Sequence, residues 1–125
     1  MAQKIIITAG ELTLDGELNN SPTAQAIAAL LPLQGTVLTW GEEIYFAIPL
    51  VAELDDTAVD LVEPGDLGYW PPGRALCLFF GPTPISGPGE IRPTSPVNRV
   101  GRMFGEINRL QQVPAGIIIK VDKAG

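Results

Sequence analysis

The chain has 125 residues with 46% hydrophobic and 18% charged positions, enough apolar material for one core and unlike a disordered chain. It holds no histidine and one cysteine, Cys77, which excludes Ser-His-Asp and Cys-His catalysis, histidine-based zinc sites and an internal disulfide. A formal net charge of −6 argues against nucleic acid as a partner, because phosphate binding needs a basic footprint.

From the N-terminus, Met1–Ile7 carries one basic residue and an apolar run too short for an export signal. The longest apolar run, Ala26–Leu33, is broken by Pro32 and falls far below the ~20 residues of a membrane helix. With an unpaired cysteine, this predicts a cytoplasmic protein with no membrane partner, a single domain over residues 1–125. Fourteen glycines and 12 prolines break the chain into short strands and turns.

Lys4–Thr8 and Leu12–Leu14 read as the first strands. Ser21–Leu31 reads as a helix, with Ser21 as N-cap, Pro22 at the first helical position, and Ile27, Leu30 and Leu31 on one face. Thr36–Thr39 and Glu43–Ile48 flank a hairpin tip at Trp40-Gly41-Glu42. Asp55, Asp56, Asp60, Glu63 and Asp66 read as a charged surface connection, since calcium-loop spacing is absent. Ala75–Phe80 is apolar at every position and predicts a central strand buried on both faces. Gly81–Pro96 is a long loop with Pro82, Pro84, Pro88, Pro93 and Pro96, and loops beyond about 12–15 residues are often functional or mobile. Val97–Met103, a second helix over Ile107–Val113 and a last strand over Ile117–Val121 complete the chain. Short strands in this number suggest a barrel or a sandwich.

Three groups of residues bear on chemistry. Glu42 and Glu43 are adjacent, so in a strand they point to opposite faces, and at most one faces a cavity. Gly65–Arg74 sets Tyr69 and Trp70 against Pro71 and Pro72 and ends on Arg74. It reads either as a rigid apolar wall with Arg74 as a polar anchor, or as a barrel cap followed by a tight turn. Cys77 lies between Leu76 and Leu78 without a base and reads as a buried structural thiol. Gly87-Pro88-Gly89 lacks the lysine and helix of a phosphate loop, and neither a metal site nor a cofactor is expected.

With Thr39–Phe46 and Gly68–Gly81 on the page, the chain resembles the small prokaryotic cyclophilin-like family of unknown function. A fainter similarity to true cyclophilins lies in Phe79-Phe80 and in Val100–Glu106 followed by the Ile107–Val113 segment. The resemblance implies a mainly β fold, a closed eight-stranded antiparallel barrel with two capping helices. It also implies kinship with peptidyl-prolyl isomerases, whose catalytic arginine lies on the strand before the hairpin. Here that strand is Thr36–Trp40, with no arginine. Phe79 or Phe80 matches the apolar floor of the proline pocket, and Arg74 is the candidate to replace the lost arginine.

The expectation is therefore a small ligand or a proline-containing peptide segment bound in an aromatic-lined pocket on the barrel surface. Glu43, Tyr45, Phe46, Tyr69, Trp70, Arg74 and Phe79 are the expected contacts. An altered prolyl isomerase is one alternative. A structural or assembly subunit is another, and a homodimer is left open.

Overall fold

Alternation of apolar and polar residues dictates the first hairpin. The structure is a computed structural model that describes residues 2–124. In β1 (Gln3–Ala9) the side chains of Ile5, Ile7 and Ala9 are buried, and in β2 (Leu12–Leu18) those of Leu12, Leu14 and Leu18. The two strands pair antiparallel with Ala9 opposite Leu12, so both apolar sets face one core.

Helix α1 (Pro22–Leu30) forms where the sequence predicts it. Ser21 Oγ accepts the Ala24 N–H at 3.3 Å, and Pro22 sits at the start, where a missing N–H costs nothing. Ile27 is fully buried, and Leu30 and Leu31 pack against the same core. The helix lies against β2 and against the strand Val97–Met103.

The remaining strands are β3 (Leu33–Thr36), β4 (Leu38–Thr39), β5 (Glu43–Ala47), β6 (Ala58–Val59), β7 (Asp66–Trp70), β8 (Ala75–Phe79), β9 (Val97–Met103) and β10 (Ile118–Lys123). They form a 10-stranded sheet in the order β3-β10-β1-β2-β9-β7-β8-β5-β4, with β6 off the path beside β9. Its two ends, β3 and β4, are consecutive in the chain. Val37 alone parts them, donating its N–H to Ile117 O at 2.8 Å. One short segment thus pairs with β10 on one side and β5 on the other, and the barrel nearly closes. The strand count differs from the expected eight because Val37 splits this segment in two and because β6 adds a short pairing with β9.

The second expected helix is a 3-10 helix over Ile107–Gln112, not an α-helix. Glu106 gives it no side-chain cap, only Leu110 is buried, and Pro114 stops the chain soon after. So short a segment does not repay the cost of α-helix nucleation. Another 3-10 turn, Pro71–Gly73, follows β7.

Two apolar clusters lie on opposite sides of the same strands. Ile44, Phe46, Leu67, Tyr69, Leu76 and Leu78 belong to the barrel interior. Cys77, Phe79 and Val97 face outward and are covered by Val62 and Ile91, which pair across a bridge. Gly68 lies on this outer side, where a Cβ would stand 2.9 Å from Val97 Cγ2 and 3.1 Å from Phe79 Cε2. The bare backbone there lets the covering side chains close down on β7 and β8. Gly68→Ala is expected to lower stability by about 1–3 kcal/mol through overpacking, read as a lower urea midpoint with an unchanged slope.

Candidate functional site

The covered outer face is incomplete at one place, and a cleft opens there. β5 and β8 pair with Glu43 opposite Phe79 and Tyr45 opposite Cys77. The strand period of two sends Glu43 and Tyr45 outward and Ile44 and Phe46 inward. The same rule splits β7, whose Tyr69 is buried in the interior while Trp70 stands outside. The result is a cleft of about 150 Å³ whose floor and near wall are Glu43, Tyr45, Cys77, Trp70 and Val97. Trp40 joins the lining from the hairpin tip, and Pro93 and Thr94 join it from the proline-rich loop.

Two contacts fix Trp70. A Cβ on Gly73 would lie 2.6 Å from Trp70 Cε3 and Cζ3, so the indole rests directly on the bare backbone of the turn. Its Nε1–H donates to Ser95 Oγ at 2.7 Å and ties the loop to the barrel. The loop has its own internal bonds. Ser86 Oγ accepts the N–H groups of Thr83 at 2.9 Å and Arg92 at 3.0 Å, and Glu90 accepts from Gly87 N–H and Arg92 Nε, both at 3.0 Å. The proline-rich segment is therefore an ordered cover.

Glu43 is the one charged residue on the cleft wall, and it is 6% exposed. Burial raises its pKa to about 7, and the neighbouring Cys77 thiol offsets only part of that rise. The ion pairs among the described residues do not include it. Glu42, on the opposite face, accepts from Gln111 Nε2 at 2.7 Å. Burial first, then the nearby Glu43 charge, push the Cys77 thiol well above its ordinary pKa, so it stays protonated and is no nucleophile at neutral pH.

The structure brings together three of the expected site residues, Glu43, Tyr45 and Trp70. Phe46 and Tyr69 are fully buried inside the barrel, one residue out of phase with the cleft, and Tyr69 donates its hydroxyl to Leu50 O. Phe79 lies in the outer cluster but is fully buried. Arg74 ends the 3-10 turn in a left-handed conformation at φ 48, with its N–H on Pro71 O at 3.1 Å. It is exposed and absent from the cleft lining. The turn that seats Trp70 sends Arg74 to solvent.

Trp40, Cys77, Val97, Pro93 and Thr94 complete the lining and lie outside the expected set. Alternation from Glu43 and Tyr45 points to Cys77 once the β5–β8 register is known. Nothing local marks Pro93 or Thr94. The acidic stretch also departs from expectation at Asp66, which is fully buried and accepts from Arg99 Nη2 at 2.8 Å and from Glu63 N–H at 2.8 Å. Among the described residues, no group of three or more His, Cys, Asp or Glu is placed to hold a metal ion, and no helix is long and apolar enough to cross a membrane.

Residues 3–122 match the family described as Cyclophilin-like. The chain is also similar to a solved structure, the solution structure of the hypothetical protein AF2241 from Archaeoglobus fulgidus. The two share 39% sequence identity and a TM-score of 0.80, over 98% of this chain and 95% of that one. No curated protein sequence matches the chain.

The Glu43 carboxyl binds its proton more tightly folded than unfolded, so folding stability falls as pH rises from about 4.5 to about 7 and is level for this group above that. Glu43→Gln is expected to flatten that slope and to gain about 3 kcal/mol over wild type at pH 8, a gain that shrinks toward pH 4.5. Urea unfolding across this pH range measures both.

Proposed function

The chain belongs to the cyclophilin-like family, and from that premise we propose that it is a binding protein whose outer-face cleft takes a small ligand or one side chain of a peptide segment. One observation carries this reading: a buried carboxyl without a cationic partner, ringed by the half-buried aromatics Trp40, Tyr45 and Trp70. Burying an ionisable group unpaired costs stability, and such groups concentrate where a protein meets a ligand. Concave, mostly apolar surfaces with few polar groups are the usual form of small-molecule sites.

The family's kinship with prolyl isomerases supports a second reading, catalysis on a proline-containing peptide. That reaction has a barrier of ~18–20 kcal/mol and needs no proton transfer, so missing histidine does not bear on it. The cleft, however, presents no arginine to the prolyl amide, and Arg74 is turned to solvent. Binding is therefore the reading the geometry favours.

Both tryptophans of the chain line the cleft. Titration with a metabolite and peptide library is expected to shift their emission for at least one ligand, and Trp70→Ala to weaken that ligand at least tenfold. Emission that never responds would sink the site. In a protease-coupled assay on proline tetrapeptides, wild type at high concentration is expected to give only the uncatalysed rate. An acceleration lost in Trp70→Ala but kept in Arg74→Ala would establish the isomerase reading at this cleft.

A further inference from the structure

We propose that the ligand of this cleft carries a positively charged amine head, a methylated or quaternary ammonium group, held among Trp40, Tyr45 and Trp70 with the Glu43 carboxylate as its counter-charge. The inference rests on the binding reading above and names the chemical class of its ligand.

Charge is the first argument. The side chains that share the cleft lining with Glu43 come from every wall, with Trp40, Pro93 and Val97 uncharged. β8 gives Cys77, β5 gives Tyr45, β7 gives Trp70 and the loop gives Thr94. None is a cation. Arg92, the nearest basic residue along the loop, is paired with Glu90 at 3.0 Å. A cationic head would supply the partner that Glu43 lacks. An anionic head would meet a carboxyl and no lysine, arginine or helix N-terminus in the lining.

The second argument is the kind of wall. Tryptophan is the best and tyrosine a good partner for a cation over an aromatic ring, and the attraction grows when both are desolvated. An ammonium bearing methyl groups is less strongly hydrated than a primary one and loses less by leaving water. It also meets apolar surface from Val97 and Pro93.

Size is the third. A cleft of about 150 Å³ suits a head of a few carbon atoms rather than a folded peptide, since a cavity of that order holds a molecule the size of benzene. The net charge of −6 adds a long-range attraction for cations over anions.

A cation in the cleft favours ionised Glu43, so binding releases a proton wherever the free carboxyl is protonated. For a ligand of permanent charge, affinity is level above the free-protein pKa of about 7 and weakens below it, by up to tenfold per pH unit. A ligand that needs a protonated Glu43 as donor shows the opposite sign.

Choline and its uncharged isostere 3,3-dimethylbutan-1-ol separate charge from shape. Calorimetric and fluorescence titrations of the full chain between pH 5.5 and 8.5 are expected to show choline binding at least tenfold tighter than the isostere at pH 8. That preference shrinks as pH falls below 7. Glu43→Gln, which keeps the shape of the side chain, is expected to remove both the preference and the pH dependence while the protein still unfolds cooperatively. Equal affinity for the two probes at pH 8, or a choline affinity that rises on acidification, overturns the amine head and leaves the cleft as a binding site. Failure of both probes while a neutral or peptide ligand shifts the tryptophan emission does the same. No response to any ligand overturns both readings together.

Discussion

Strand β8 is buried along its whole length, Ala75–Phe79, on both faces of the sheet. That demand shapes the rest of the molecule. One face is met by the barrel interior, with Phe46, Leu67 and Tyr69 beside Leu76 and Leu78. The other, carrying Cys77 and Phe79, would meet water on a bare barrel. Covering it takes Val62 and Ile91 from two connections, and the loop from Gly81 to Pro96 is the larger of them. Prolines suit that task. They lower the entropy lost on ordering a loop, and they prevent it from pairing as another strand. The cover is latched by the Trp70–Ser95 hydrogen bond, and the gap it leaves over Tyr45 and Cys77 is the cleft.

Two buried carboxylates show how differently the same group is used. Asp66 is fully buried and ion-paired at one oxygen: Arg99 Nη2 lies 2.8 Å from Oδ2 and the Glu63 N–H donates to the same atom at 2.8 Å, while Oδ1 has no hydrogen-bond partner and Arg102 Nη1 stands 3.9 Å from it. Its place is structural, joining β7 to β9 at the bulge between Leu67 and Gly68. Glu43 has no cationic partner, and burial raises its pKa to about 7. A structure that pairs one buried carboxyl with an arginine and leaves the other without a cation at a cleft has kept a local conflict there. The thiol beside it takes no part as a nucleophile, because the same burial and the same carboxyl hold it protonated. The binding proposed for the cleft therefore needs no covalent step at Cys77.

Much of this was legible in the residues themselves. The alternation of β1 and β2, the Ser21-Pro22 helix start, the doubly apolar Ala75–Phe80 run and the opposite facing of Glu42 and Glu43 are local facts of period and capping. The same period of two also separates Tyr45 from Phe46 and Tyr69 from Trp70. Choosing which member of each pair lies outside requires knowing which face of β5 and β7 the barrel encloses.

That choice belongs to the tertiary structure, because each face of β5 and of β7 carries an aromatic ring. So does the pairing of Glu43 with a thiol 34 positions away, which depends on the β5–β8 register. Pro93 and Thr94 enter the site only because the loop folds back over β8. Arg74 leaves it because the turn that seats Trp70 on Gly73 ends in a left-handed residue. Local sequence determined the first hairpin, the helix start, the central strand β8 and the family. Long-range packing decided which side chains share a cavity, since a covered outer face exists only when distant segments close upon it.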